Sequence, residues 1–292
     1  MMYQIMSLNK KNLNEFRRLN ENKSNFNCLN KNFFEIYDKC SFAQKVLLRR
    51  KVRLLKQDLN YIGYIWYNVN CSYRNTYIIN ALNIENFETG LIAPYKYLID
   101  KLRRNSTFYY ICENNDYNYK VLKKIGFEKK EGTLILNLNL NQSIPLIIKD
   151  DINFEVLKIG RDEKKRCHIQ NKIFKNNERI PLNLNDIYFD EMQSYYLNNG
   201  AIFIKKGETY IGYGQIILED NTPTIVNFGI LEEFRGNDYS KCLLTYLLKI
   251  IMCNGFDRAK IKVKTFNYIA LNLYKQMGFK VENKRYKWQI KT

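Results

Sequence analysis

Apolar and polar residues alternate through KVRLLKQ (51–57), YIGYIWYNV (61–69) and TYIINALNI (76–84), a period of two that predicts three strands with at least one buried face. The period lengthens to a helical one in LIAPYKYLIDKLRR (91–104), returns to two in TFYYICE (107–113), lengthens again in NYKVLKKIGF (118–127) and ends on the strand TLILNLNL (133–140). From Ala201 the alternation starts over: strands AIFIKK, YIGYGQIIL and TIVNFGIL, a helix KCLLTYLLKIIMCN, a strand RAKIKVKTF, a helix ALNLYKQMGF and a strand RYKWQIK. Each of these two runs is preceded by a short strand and two helices, in the second case FEVLKI, EKKRCHIQNKIFK and IYFDEMQSYYLNN. Strands and helices intermixed in this way predict an α+β protein.

The second run matches the first. Asn115 aligns with Asn267 and Phe127 with Phe279, both at an offset of 152, and Gly126 falls on Gly278. The tetrapeptide Tyr-Ile-Gly-Tyr occurs at Tyr61–Tyr64 and again at Tyr210–Tyr213. Matching elements in matching order imply a duplication. The link NQSIPLIIKDDIN, which contains Pro145, puts the expected boundary near Asp150, with domains at 1–150 and 151–292.

A chain of 292 residues with 46% hydrophobic content can bury two ordinary cores. No run reaches the roughly 18 apolar residues of a bilayer span, and the start MMYQIMSLNKK has no apolar signal core, so a cytoplasmic location without membrane association is expected. The seven cysteines are odd in number and lack a Cys-x-x-Cys spacing, which reads as free, mostly buried thiols and no metal site. His168, the single histidine, sits in a charged helical stretch and reads as structural. The net charge of +18 divides as +11 over residues 1–150 and +7 over the remainder, so it is no basic tail. Such a surface attracts polyanions, nucleic acid and phosphorylated cofactors among them, and biased composition explains it equally well.

Chemistry enters with the second half. The segment VNFGILEEFRGNDYSKCLLTYLL resembles the cofactor motif of the GNAT (GCN5-related N-acetyltransferase) superfamily, a fourth strand leading into Arg-x-x-Gly-x-Gly/Ala and then a helix. Downstream, NYIALNLYKQMGF resembles the family's Asn-x-x-Ala followed by Leu-Tyr-x-x-x-Gly-Phe. The motifs cover about residues 152–292, whereas residues 1–140 share the architecture alone, as a degenerate copy would. The resemblance implies two tandem GNAT-like domains, each a mixed, mostly antiparallel sheet flanked by helices, and acetyl-CoA as co-substrate with no metal.

By that resemblance the main chain of Phe228, Gly229 and Ile230 pairs with the pantetheine arm, and the turn of Arg235, Gly236, Asn237, Asp238, Tyr239 and Ser240 cradles the pyrophosphate. Unpaired N–H groups at a helix start suit that task, and Arg235 adds a cation. Asp238 stands where the family has its first glycine; a carboxylate there repels phosphate, although Asp is also a favoured N-cap and Lys241 is close enough to offset the charge. Asn267 is a cofactor contact or an ordinary N-cap. Resemblance further makes the Ile230 N–H the oxyanion donor and Tyr274 the acid that protonates the leaving thiolate, in a direct attack by a primary amine on the thioester.

The general base is unassigned, with Glu219, Asp220, Glu232 and Glu233 as loop candidates. Leu122 occupies the place of Tyr274 in the first half, NFETGLIAPYKYLI there lacks the Arg-x-x-Gly turn, and the basic helix end Lys101–Arg104 reads as a solvated face. The acceptor is a small-molecule or peptide amine. The alternatives are a non-catalytic module that binds RNA or protein, and a peptidyltransferase that uses aminoacyl-tRNA on the same fold.

Overall fold

A computed structural model describes residues 2–70, 73–85, 92–115, 117–140, 146–175 and 180–292. The first half contains β1 (Tyr3–Ser7), α1 (Leu13–Glu21), α2 (Phe33–Tyr37), α3 (Phe42–Arg49), β2 (Val52–Gln57), β3 (Asn60–Val69), β4 (Thr76–Ile84), α4 (Ala93–Asp100), β5 (Thr107–Glu113), α5 (Tyr117–Lys124) and β6 (Glu128–Asn139). The second contains β7 (Ile152–Val156), α6 (Glu163–Ile173), α7 (Leu184–Glu191), β8 (Tyr196–Lys206), β9 (Thr209–Glu219), β10 (Thr222–Ile230), α8 (Tyr239–Cys253), β11 (Arg258–Lys264), α9 (Tyr268–Gln276) and β12 (Lys280–Lys291).

The α+β class and the repeated order of elements agree with the sequence pattern. Three helices, not two, precede β2 in the first half, because Asn32 and Ser41 each cap a separate short helix. The basic stretch Lys101–Arg104 lies beyond the end of α4, so it is no helix, and the Arg103 guanidinium donates to the Tyr77 hydroxyl at 2.9 Å. Of the described cysteines only Cys112 and Cys242 are buried, a correction to the expectation for the set as a whole. Among the described residues no helix is long and apolar enough to cross a membrane.

The repeat is visible in hydrogen-bond register. Gly63 of the first Tyr-Ile-Gly-Tyr faces Ile84, and Gly212 of the second faces Ile230. Both copies of the Gly-Phe motif close a helix in the same way: the Phe127 N–H donates to Leu122 O at 2.9 Å and the Phe279 N–H to Tyr274 O at 3.0 Å. These bonds from the second residue past the cap, with Gly126 and Gly278 at φ 95° and 88°, are Schellman closures, and the left-handed angle is the reason for the glycines.

The compact units do not part at Asp150. One comprises residues 1–133 together with 283–292, and the other residues 134–282. In the first, strands run in the order β1-β2-β3-β4-β5-β12, with Arg285–Lys291 antiparallel to β5 and Trp288 and Ile290 in its core. In the second they run β6-β11-β10-β9-β8-β7, and Leu134, Leu136 and Leu140 join its core. The last strand of each sequence repeat therefore completes the sheet of the other repeat. A run such as TLILNLNL fits any open sheet edge, and burying each leucine stabilises by about 1.5–3 kcal/mol on either edge, so the pattern does not choose. The link itself lies partly at 141–145, outside the described residues.

Candidate active site

The site grows from the end of β10. Leu231 N–H donates to Ile211 O at 2.8 Å, while Ile230 faces Gly212 and Gly229 faces Tyr213. Hydrogen-bonded and non-bonded pairs alternate in an antiparallel ladder, so the main-chain groups of Gly229 turn toward β9 and those of Ile230 turn away. On that far side β11 pairs in parallel with β10 at Thr224–Lys260 and Ile225–Ile261, and among the described residues no pair continues past Ile225. The two strands part, and the Ile230 N–H faces the gap.

A bulge at Asn227 marks the parting. The register shifts between Val226 and Gly229, and Asn227 takes a left-handed φ of 50°. Its Nδ2 donates at 3.1 Å to Oε1 of the fully buried Gln215, which also accepts from Arg166 Nη2 at 3.1 Å. Gln215 Nε2 donates to Asp190 Oδ2 at 3.1 Å, and Arg166, itself only 1% exposed, pairs with Asp190 and with Glu191 at 3.3 Å. Burial raises the Asp190 carboxyl, but the bonds from Arg166 and Gln215 outweigh it and hold the group below its usual range. Burial dominates at Glu191, which titrates above the ordinary glutamate value. Sequence reading missed this network entirely: Arg166 lies in a run of charged residues that resembles any solvated helix, and only the packing of α6 against α7, β9 and β10 gives it partners.

After β10 the chain makes a 3₁₀ turn over Glu232–Phe234 and enters α8 through Arg235–Asp238. Gly236 has φ 85°, and a Cβ there would meet nothing within 4 Å, which leaves the backbone open to close approach. Among the described residues, the N–H groups of Gly236 to Ser240 donate to no protein acceptor. Consecutive free donors at the positive end of a 15-residue helix are chemically suited to an anion.

Three side chains in the turn depart from expectation. Asp238 sits at the N-cap position but with φ 57° and no capping bond, and its carboxylate pairs with Lys241 Nζ at 2.8 Å. That hydrogen bond lowers its pKa and leaves the helix donors free. The Arg235 Nε donates to Ile230 O at 3.1 Å and Nη2 to Ile173 O at 3.4 Å, so the guanidinium ties the end of β10 to the end of α6. Asn237 does not line the cavity; its Nδ2 braces the turn through Phe234 O and Arg235 O at 3.4 and 3.2 Å.

α9 supplies the remaining wall. Asn267 Oδ1 accepts from the Ala270 N–H at 3.1 Å, an N-cap that Asn115 repeats on α5. The Schellman closure at Gly278-Phe279 fixes Tyr274 a turn earlier, and the Tyr274 ring lies 6.0 Å from Phe279 and 6.1 Å from Phe228. Burial pushes its phenol well above the ordinary tyrosine value.

These parts enclose a cavity of about 350 Å³. Phe228, Gly229, Ile230, Arg235 and Gly236 line one side, with Asp238, Tyr239 and Ser240 at the turn and Asn267 and Tyr274 opposite. Tyr239 contributes main chain to the turn, since its hydroxyl bonds Asp151 Oδ2 at 3.2 Å. Ile173 at the end of α6 and Phe174 just after it also line the cavity, which no sequence signal indicated. The candidate bases are elsewhere: Glu219 pairs with Lys262 at 2.6 Å, and Asp220, Glu232 and Glu233 are absent from the wall. Among the described residues no group of three or more His, Cys, Asp or Glu could hold a metal ion.

Residues 168–279, which carry every part of this cavity wall, match the acetyltransferase (GNAT) family model. Over those residues the chain is similar to the GNAT family. The fold is similar to that of a GCN5-related N-acetyltransferase from Sphaerobacter thermophilus, 12% identical with a TM-score of 0.64 over 99% of this chain and 95% of that one. A tandem GNAT protein from the clavulanic acid biosynthesis pathway is 8% identical with a TM-score of 0.60, over 99% of this chain and 98% of its own. A GNAT-family acetyltransferase from Colwellia psychrerythraea gives 12% and 0.60, over 99% of this chain and all of that one. Identities this low establish the GNAT fold and no more. No curated protein matches the sequence.

In the first copy of the fold Leu122 is buried at the position of Tyr274. The segment where a phosphate turn would precede α4 falls at 86–91, outside the described residues.

Proposed function

We propose that residues 134–282 transfer an acetyl group from acetyl-CoA to a primary amine by direct attack. The observation that carries this reading is the convergence, on one cavity, of an outward-facing Ile230 N–H where β10 leaves β11, the free donors of Gly236–Ser240, and the buried Tyr274 phenol.

Acetyl-CoA would supply an acetyl group already activated as a thioester. The N–H groups of Gly236–Ser240 would hold its diphosphate, and the main chain of Phe228 would pair with a pantetheine amide, as an added strand does. The Ile230 N–H would donate to the carbonyl oxygen as the neutral amine nitrogen bonds to the carbonyl carbon and negative charge grows on that oxygen, and the nitrogen would lose its proton to solvent. As the carbon–sulfur bond breaks, Tyr274 would give its proton to the sulfur and recover one from solvent. The raised phenol is suited to this: it stays protonated through neutral pH, and the burial that raises it also raises a thiolate held beside it, keeping the two in balance.

Release of free CoA in a screen of amino acids, amino sugars, polyamines and peptide N-termini tests the reading, with Tyr274→Phe as control. Removing a general acid is expected to lower kcat about 100-fold while acetyl-CoA binds as before. An unchanged kcat in a chemistry-limited reaction would remove Tyr274 from this role. Absence of saturable acetyl-CoA binding in calorimetry would reject the enzyme and favour a binding module.

A further inference from the structure

The first copy has the same opening between strands, and something already fills it. β3 and β4 keep the register of β9 and β10: Tyr64 faces Asn83 and Ile65 faces Leu82, and Glu85 N–H donates to Ile62 O at 2.7 Å. The alternation of the ladder turns the main-chain groups of Leu82 away from β3. β4 pairs in parallel with β5 from Thr76 to Ile79, and among the described residues no pair follows, so Asn80–Ile84 border a gap as Asn227–Ile230 do.

Residues Phe26–Lys31 occupy that gap. Asn30, 4% exposed, uses both ends of its amide on one residue: Nδ2 donates to Leu82 O at 2.8 Å and Oδ1 accepts from Leu82 N–H at 3.3 Å. Its Oδ1 also accepts from the buried Tyr110 hydroxyl at 2.7 Å, and Lys31 N–H donates to Asn80 O at 2.9 Å. Asn27, 1% exposed, does the same for the opposite wall, with Nδ2 donating to Ile111 O at 2.9 Å and Oδ1 accepting from Glu113 N–H at 3.3 Å, both on β5. Between them Phe26 is 2% exposed and packs against Tyr95, Tyr110 and Tyr117, with ring centroids 5.0, 6.4 and 6.2 Å away. Asn118 Nδ2 holds Phe26 O at 2.9 Å.

We propose that this segment is a built-in substitute for the pantetheine arm: two asparagine amides satisfy the strand edges that an amide-bearing ligand would otherwise pair with, so the first copy is closed to CoA and the chain has a single cofactor site. The comparison rests on the reading of the second copy for what an open groove takes, while the filling of the first groove stands on its own contacts. Main-chain groups left open at a buried strand edge demand a partner. In the second copy the Ile230 N–H is open while its carbonyl is held by Arg235; in the first copy Leu82, two residues before the counterpart of Ile230, finds its partner within the chain.

Amide hydrogen exchange on the full chain, with and without acetyl-CoA, tests this, alongside calorimetric stoichiometry. The Leu82 amide is expected to exchange slowly without ligand and to be unchanged by acetyl-CoA, with one molecule bound per chain. The Ile230 amide is expected to slow when acetyl-CoA is added. Asn30→Ala is expected to speed Leu82 exchange at least tenfold without altering the affinity of the second copy. Rapid Leu82 exchange in the free protein, slowing of Leu82 by acetyl-CoA, or two molecules bound per chain would each overturn the proposal. If acetyl-CoA bound nowhere, the reading of the second copy would fail, and Leu82 protection in the free wild-type protein would still decide this one, whether or not Asn30→Ala folds.

Discussion

Replacing Gly229 with alanine tests whether the gap beside β10 is as tightly set as its contacts require. A Cβ at Gly229 would lie 2.3 Å from Ile173 Cγ2 and 3.7 Å from the Phe174 ring. Carbon atoms rest at roughly 3.5–4.0 Å, so more than 1 Å of movement is needed. Ile173 ends α6 and is 7% exposed, and a β-branched side chain in a helix has essentially one χ1 rotamer, so it cannot swing aside. The end of α6 or β10 must yield instead, which strains the Arg235 clamp between Ile230 O and Ile173 O. Overpacking of this kind costs about 1–3 kcal/mol. At roughly 2–4 °C per kcal/mol, Tm should fall by about 2–12 °C. A shift near 1 Å at the Ile230 N–H should also lower kcat/KM on the order of 100-fold. Thermal melts and CoA-release kinetics read both effects. Ile173→Ala removes the clashing methyl, so the double variant should be more stable than the sum of the single losses. A Gly229→Ala protein with wild-type Tm and kinetics, or a strictly additive double variant, would refute the packing argument.

Two further outcomes follow from the same geometry. Asp238→Gly removes a carboxylate from the phosphate turn, frees Lys241 and relieves a left-handed aspartate, so acetyl-CoA should bind about two- to fivefold more tightly by calorimetry; weaker binding would contradict the repulsion. Asp190 is held below its usual range in the folded state, so its stabilising share is complete above the unfolded value of about 3.9 and disappears as pH falls through the folded one. The Tm difference between wild type and Asp190→Asn should therefore shrink as pH is taken from 6 toward roughly 3, and a gap that widened on acidification would show the sign to be wrong.

Much of the fold was legible because it is local. Strand alternation, the repeated Tyr-Ile-Gly-Tyr, and the Gly-Phe pairs that close α5 and α9 each act within a few residues, and a left-handed cap position selects glycine whatever surrounds it. The position of Tyr274 is legible for the same reason: it lies a fixed turn before its cap. The turn into α8 was legible as a helix entry with unpaired N–H groups, though Asp238 caps nothing and Asn237 does not line the cavity.

Tertiary structure decided whatever depended on which distant partner a residue meets. An arginine in sequence is a cation; in the fold, Arg235 spends its donors on two carbonyls and Arg166 is buried on Asp190 and Glu191. Alternating leucines predicted β6, and only assembly assigned it to the sheet of the second unit and gave β12 to the first. No sequence signal singles out the asparagines at 27 and 30, because an amide reveals its use only when a strand edge more than fifty residues away in the sequence comes within hydrogen-bonding distance.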